Sequence, residues 1–363
     1  MRSSHYISLS VLLVLGCGPE LPPLEYRSLR ARVGSDIVDQ VCAGTLARID
    51  REFERIEARL ELPPTGDIAE IYIVDPEVSM AHCNEFDNCL DLPSKRVIIN
   101  RKSFENVIAH ELAHYRSALV TDLRRAPSLF REGLAVALAP ASCPAHFSAD
   151  LGANELLELR SGLELKRKGG YYLGGELFAW LLDAHDPLEV ISLFRLVERR
   201  DPAGETQSNY QSLFHTDLDD DLFGHLRDPA KLAPEDFGCF GPETPVFAQF
   251  SSTAKQYLLH AEMDCNSPDV QNNFLVPDAG YVEWIVVIDE AQAGFYTVVG
   301  DVPEWTVLTI EPCGCLQSPS QKRDHLKPRT FERPQKLEAG GYRLRWTARL
   351  DSGAVLDAAL IRQ

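Results

Sequence analysis

The stretch VIAHELAHYRSALV, from Val107 to Val120, places two histidines four positions apart and a glutamate directly after the first. Ser103 is a suitable N-cap before it, and apolar residues recur at helical spacing along it, so the pattern predicts an α-helix. Residues four apart share one face of a helix, so the imidazoles of His110 and His114 can reach a single ion. Glu111 lies about 100° further around the helix, where it can reach a water at that ion without binding the ion.

A catalytic zinc site needs a third protein ligand, because such sites usually take three and leave the fourth position to water. A second helix is predicted from Pro127 to Pro140, and Glu132 lies near its start, 18 residues beyond His114. The alternative role of this carboxylate is a favourable charge at a helix N-terminus. We predict Glu132 as the third ligand. Bound Zn²⁺ lowers the pKa of its water to about 7, and Glu111 would accept the proton of that water.

The segment HELAH at residues 110–114, followed by EGLA at 132–135, resembles the gluzincins, the HExxH…E branch of the MA clan of zinc metallopeptidases. The resemblance covers residues 65–227 and is strongest over 107–139. It implies a peptidase with Zn²⁺ held by the two histidines and Glu132, and with Glu111 as general base. Neither well-known subgroup fits, because the Gly-x-Met-Glu-Asn segment of aminopeptidases is missing and Val136 stands where thermolysin-like enzymes have aspartate.

The same resemblance implies two further features of the site. A tyrosine often donates a hydrogen bond to the oxyanion of the reaction. Tyr172 is the candidate here, with Tyr171 close behind, although both could simply pack at the start of a helix. In these peptidases an extended substrate also adds to a sheet edge before the catalytic helices. The strand predicted over residues 96–100 would supply that edge. Its candidate substrate-binding residues are Val97, Ile98, Ile99 and Asn100.

The N-terminus has a basic residue, Arg2, a short apolar run from Ile7 to Leu15, and then Gly16-Cys17. It resembles a bacterial lipoprotein signal, which implies cleavage of residues 1–16 and a lipid anchor on Cys17. An ordinary secretory signal with an incidental cysteine is the alternative. Both imply export, and the first implies a cell-envelope lipoprotein on the outer membrane or periplasmic face. Residues 17–26, which are rich in proline, are predicted to be a tether.

The net charge narrows the classes of possible binding partner. The net charge of −18 argues against nucleic acid as a partner and against adhesion to anionic lipid, so membrane contact is expected only through the anchor.

Apart from Cys17 there are eight cysteines, an even number that suggests up to four disulfides in an exported protein. A cysteine zinc site is the alternative, but no Cys-x-x-Cys occurs. Four cysteines precede residue 150 and four follow residue 238, which favours two independently stapled domains.

The pattern predicts an α+β fold with a C-terminal β-sandwich over residues 238–363, and the resemblance implies a zincin-like metallopeptidase domain over residues 27–234. Strands are predicted over 68–74 and 96–100. Helices are predicted over 29–60 and, after the two site helices, over 153–165, 175–184, 187–199 and 217–226. Short alternating runs separated by turn residues follow residue 238 and are typical of a sandwich.

We therefore expect a zinc-dependent peptidase that acts on peptide or protein substrates. Two other functions are compatible with the sequence. One is a metal-stabilised binding lipoprotein that no longer cleaves anything, and the other is a small-molecule hydrolase on the same zinc scaffold. A degenerate site would have lost its base or a ligand, whereas Glu111, His110, His114 and Glu132 are all present.

Overall fold

The structure is a computed structural model, and its described residues form a mixed α+β protein with three open five-stranded sheets. The C-terminal part consists mostly of strands. The residues described are 19–83, 87–91, 93–123, 125–139, 151–159, 161–198, 200–224, 248, 250–251, 255–301, 303, 306–312, 329–330 and 333–363. The proposed signal peptide, Cys17 and the predicted domain boundary at 234–238 lie outside them.

The N-terminal sheet has the strand order β1-β2-β3-β5-β4. Its strands are β1 (Tyr26–Arg27), β2 (Ala31–Ser35), β3 (Ala69–Val74), β4 (Asn88–Asp91) and β5 (Arg96–Asn100). The central strands β2, β3 and β5 run parallel, and β1 and β4 are antiparallel strands at the two edges. The predicted strands over 68–74 and 96–100 are confirmed, whereas residues 31–35, predicted as helix, form β2.

The prediction that β5 is a sheet edge is wrong. Its main chain pairs with β3 on one side and with β4 on the other. Its side chains are buried as well, with Val97, Ile98, Ile99 and Asn100 between 0% and 6% exposed. These four residues therefore have no free backbone edge to offer an extended substrate. Among the described strands, the edge on this side of the sheet is β4, a short and polar segment that has no clear strand pattern.

Ten α-helices lie among the described residues of the N-terminal part. They are α1 (Ala43–Arg59), α2 (Pro76–His82), α3 (Phe104–Val120), α4 (Ser128–Leu138), α5 (Ala153–Glu158), α6 (Gly162–Arg167), α7 (Gly170–Ala184), α8 (Pro187–Leu196), α9 (Ala203–Phe214) and α10 (Leu218–Gly224). The single helix predicted over 153–165 is two short helices, and α2 and α9 were not predicted. The helix predicted around HELAH is α3, which packs against α1, α4, β4 and β5.

Helix α1 packs its apolar stripe against α3 and the sheet, with Ile49, Phe53 and Ile56 at most 1% exposed. A buried ion pair fixes the two helices to each other. Glu57 of α1 accepts a hydrogen bond of 2.9 Å from the guanidinium of Arg116 of α3, and both side chains are 4% exposed. Because a buried charge is costly without its partner, this pair specifies how α3 lies on α1.

Residues 19–25 do not form the free tether that the sequence predicts. Leu21 and Leu24 pack against the outer face of the sheet, on the buried cluster that contains Tyr72 and Ile98. The chain then continues directly into β1. The proline-rich composition of this segment thus reflects an extended stretch docked on the sheet, and proline suits that conformation because its φ is fixed.

The C-terminal part consists mostly of strands, as predicted, and its described strands form two sheets, together called the sandwich here. One sheet has the order β13-β10-β15-β7-β6 and the other β12-β11-β14-β9-β8. The strands are β6 (Phe250–Ser251), β7 (Gln256–Glu262), β8 (Gln271–Asn272), β9 (Ala279–Ile288), β10 (Gly294–Asp301), β11 (Val307–Pro312), β12 (Arg329–Thr330), β13 (Gln335–Leu337), β14 (Gly340–Arg349) and β15 (Val355–Arg362). Both sheets contribute to one core, in which Trp346, Tyr257 and Tyr296 are among the largest buried side chains.

The two parts are covalently joined, so the prediction of independently stapled domains is wrong. Cys42, directly before α1, forms a disulfide with Cys265 of the sandwich, 223 residues later. Asn272 of β8 accepts hydrogen bonds from the Cys42 amide (2.7 Å) and the Thr45 hydroxyl (3.0 Å). The amides of Ala43 and Gly44, the first two residues of α1, donate to the carbonyls of Cys265 (2.8 Å) and Val270 (3.1 Å). The sandwich therefore caps the start of α1. A second disulfide joins Cys83 to Cys89.

A charged network extends this contact to the start of α3. Arg345 of β14 pairs with Glu105 in the first turn of α3 at 2.7 Å and with Glu283 of β9 at 2.6 Å. Arg48 of α1 donates to the Glu105 carbonyl (2.9 Å) and to the Tyr281 hydroxyl (3.1 Å). The sandwich thus holds the N-terminus of the helix that carries both histidines.

Among the described helices, none combines the length and the apolar character that a membrane-spanning segment needs.

Candidate metal centre

The structure brings His110 and His114 of α3 together with Glu132 of α4. Their ligand atoms lie within 4.8 Å of one another. Glu132 Oε2 is 3.2 Å from His114 Nε2 and 3.5 Å from His110 Nε2. All three side chains are buried, at 8% to 9% exposure. The predicted ligand set is therefore assembled as a three-residue group that can hold a metal ion.

Helix α4 reaches this position because two glycines allow a close helix crossing. A Cβ at Gly133 would lie 2.6 Å from the carbonyl carbon and oxygen of Gly174 in α7. Only residues without a Cβ permit such an approach of two backbones. The glycine directly after Glu132 thus lets α4 pack on α7, which sets the depth at which the glutamate faces α3.

The electrostatics of the group favour a positive charge at its centre. Burial opposes the charged form of His110, but hydrogen bonding to Glu132 and the charges of Glu111 and Glu132 raise its pKa. Burial alone would raise the pKa of Glu132, yet its interactions with His114, His110 and Arg131 hold that pKa well below the usual range. Glu132 is therefore a carboxylate at neutral pH.

This donor set fits a transition-metal ion. Two imidazoles and one carboxylate, all buried and converging on one point, match the His₂Glu combination of catalytic zinc sites. A hard cation such as Ca²⁺ would need six or more oxygen ligands. Two of the three donor atoms here are nitrogens. The residues present could therefore hold a transition-metal ion, a class that includes Zn²⁺.

Glu111 lies beside the ligands, as predicted from its place in HELAH. Its side chain is 6% exposed. Burial, the largest influence, raises its pKa above that of an ordinary glutamate, although the two neighbouring histidines act in the opposite direction. A carboxylate with a raised pKa is a stronger base, so the environment suits proton transfer near neutral pH.

Among the tyrosines whose side chains the structure describes, Tyr171 reaches the group. Its hydroxyl is hydrogen-bonded to His110 Nε2 at 2.7 Å, and the two rings stack with centroids 5.5 Å apart. Helix α7 begins at Gly170, earlier than predicted, and this places Tyr171 in its first turn over the site. The side chain of Tyr172, the first candidate from the sequence, lies outside what the structure describes.

Two cations next to the site were not predicted. The guanidinium of Arg131 donates to Glu132 Oε1 from Nε at 3.0 Å and lies 2.9 Å from it through Nη2. Lys166 of α6 is close enough for its charge to act on His110. Adjacency to the third ligand could have identified Arg131, but Lys166 is 34 residues further along the chain and has no motif around it.

Neither the protein-family models nor the curated protein sequences match this chain. Its function is therefore argued from the geometry and chemistry of the site.

Proposed function

We propose that this protein is a zinc-dependent peptidase of the gluzincin type. The observation that supports the proposal is the buried group of His110, His114 and Glu132 with Glu111 beside it. A metal site that only stabilises the fold needs its three ligands. It does not need Glu111, a further buried residue whose carboxyl has a raised pKa. A zincin-like arrangement, with the metal helix packed under a mixed sheet, agrees with this assignment.

Each residue around the site would have a separate role in the reaction. His110, His114 and Glu132 would hold Zn²⁺, which supplies Lewis-acid polarisation of the scissile carbonyl and a water of lowered pKa. Glu111 takes the proton of the attacking water and passes it to the leaving amine. The Tyr171 hydroxyl donates a hydrogen bond to the carbonyl oxygen as that oxygen gains negative charge. Arg131 holds Glu132 in its orientation through two hydrogen-bonding contacts.

The substrate backbone would pair with the free edge of β4. This strand packs against α3, the helix that carries the histidines. The Cys83–Cys89 disulfide ends in this strand and restricts its motion. A fixed edge lowers the entropy lost when an extended peptide binds.

The exported compartment is part of the proposal. The two disulfides support an oxidising environment. A lipid anchor on Cys17 is inferred from the signal-like N-terminus, and metabolic labelling with a fatty acid would test it. Label should enter the wild-type protein and not a Cys17→Ser variant.

The peptidase proposal is tested by metal content and cleavage together. Wild-type protein should bind one zinc per chain, and His114→Ala and Glu132→Ala should lose it. Glu111→Gln should keep the zinc and lose cleavage of a quenched peptide library by about 10²–10⁴-fold. The matched control is Glu205→Gln, an exposed glutamate of α9. Full activity of Glu111→Gln would refute the mechanism, and cleavage of small esters but not peptides would favour a small-molecule hydrolase.

A further inference from the structure

Helix α6 presents a lysine to the metal centre. Its first residue, Gly162, lies so near Glu132 that a Cβ there would be 3.0 Å from Oε1 of the glutamate. Lys166 is four residues further on, so it occupies the same face of α6 one turn along. Leu165, which is 0% exposed and packs against Gly170, fixes the rotation of the helix.

The charge of Lys166 is also among the charges that act on His110, in agreement with the helix geometry. Burial is the largest influence on the pKa of His110 and lowers it, while Glu132 and Glu111 raise it. Lys166 is a further influence, and its positive charge lowers that pKa. The charge of the Lys166 ammonium group therefore reaches the imidazole of His110.

Lys166 differs from the other cation at the site in having no carboxylate to neutralise it. Arg131 is held by Glu132. Lys166 forms no ion pair with any residue that the structure describes, and it is exposed. In a chain of net charge −18, an unpaired cation over the metal group creates a local positive potential. Arg167 lies on another face of α6, and Lys168 follows the last residue of the helix.

We propose that Lys166 binds a carboxylate of the substrate, so that the site prefers peptides with an acidic group close to the scissile bond. The inference rests on the proposed peptidase function and adds a substrate class to it. A lysine ammonium forms charge-assisted hydrogen bonds with carboxylates. The carboxylate could belong to an Asp or Glu side chain or to the C-terminus of the peptide, since both present the same group.

Binding to zinc-loaded Glu111→Gln protein tests the inference without cleavage. The first probe is an oligoalanine peptide blocked at both ends. The second is a blocked set with glutamate at each position in turn, and the third is the same oligoalanine with a free C-terminal carboxylate. One of the two carboxylate probes should bind about tenfold more tightly than the blocked peptide, the gain of one charge-assisted hydrogen bond. Tighter binding of the glutamate set would assign the carboxylate to a side chain, and tighter binding of the unblocked peptide would assign it to the C-terminus.

Adding Lys166→Gln to that protein should abolish the difference, and Lys166→Glu should reverse it. Lys168→Gln is the matched control, because it removes the same charge from the residue directly after α6 and should leave the preference intact. Raising the salt concentration from 0.05 to about 0.5 M should shrink the preference, since exposed charges are screened over a few ångströms at high salt. Equal binding of all three probes, a preference that survives Lys166→Gln, or no peptide binding would overturn the inference.

The two proposals fail in different ways. If the preference depends on Lys166 but zinc-loaded wild-type protein cleaves none of the probes, the peptidase proposal fails and the carboxylate site stands. If wild-type protein cleaves blocked and acidic peptides at equal rates and binds them equally, the peptidase proposal stands and the role of Lys166 is refuted.

Discussion

Replacing Gly133 with alanine is expected to weaken metal binding although Gly133 is not a ligand. The added Cβ would lie 2.6 Å from the carbonyl carbon and oxygen of Gly174 and 2.9 Å from its Cα. Carbon atoms in van der Waals contact are about 3.5–4.0 Å apart, so α4 and α7 have to separate locally by about 1 Å. Both obstructing groups are backbone, so no side-chain rotation relieves the clash.

The displacement acts on the neighbouring residue, Glu132. Functional metal sites keep their ligand distances within about 0.2 Å, and a shift of about 1 Å exceeds that several-fold. Disturbing the support of a ligand typically lowers metal affinity by about 10–100-fold, and we expect a loss in this range. The overpacked helix crossing should also cost about 1–3 kcal/mol of stability.

The assay is a competition titration of zinc against a chromophoric chelator, with circular dichroism and denaturant unfolding on the same samples. Gly204→Ala is the matched control, because Gly204 also lies in a helix and a Cβ there would meet nothing within 4 Å. It should bind zinc like wild type. A folded Gly133→Ala protein with wild-type zinc affinity would refute the argument that the glycine contact sets the position of Glu132.

Three further outcomes are expected. Glu57→Gln should destabilise the protein by about 3–5 kcal/mol in urea unfolding, because it strands buried guanidinium charges, while exposed Glu54→Gln should change little. Replacing Cys42 and Cys265 with serine should lower the free energy of unfolding by about 2–5 kcal/mol; an unchanged value would mean that the contacts between the two parts suffice without the bond. Burial alone would raise the pKa of Glu283, but neighbouring arginines lower it. Its ionised form therefore adds stability above about pH 4–5, and this stability is lost as the pH falls through the lowered pKa. In Glu283→Gln, the free energy of unfolding should fall less steeply as the pH is lowered.

The metal group could be predicted from the sequence because its signals are local. His110 and His114 share one helical face by their spacing alone, and the neighbouring helix carries Glu132 within a short distance along the chain. The alternating strands after residue 238 are likewise a local pattern, and the sandwich followed from them. In each case a few adjacent residues contain the information.

The features that could not be predicted depend on contacts between distant segments. The edge position of β4 arises because residues 88–91 pair with β5, and their composition does not favour a strand. The partner of Cys42 is 223 residues away, and the number of cysteines does not determine their pairing. Lys166 reaches the site only because α6 folds back onto Glu132, a contact that no motif encodes.

The disulfide and the ion pairs between the two parts join segments that are far apart along the chain, so they form only after the later segment is available. A chain that crosses a membrane N-terminus first presents its two histidines and Glu132 long before Cys265 and Arg345 emerge. Until then α1 lacks its disulfide partner, and the start of α3 lacks the arginine that pairs with Glu105. These contacts are therefore completed only when the last third of the polypeptide arrives, and a half-exported molecule would lack them.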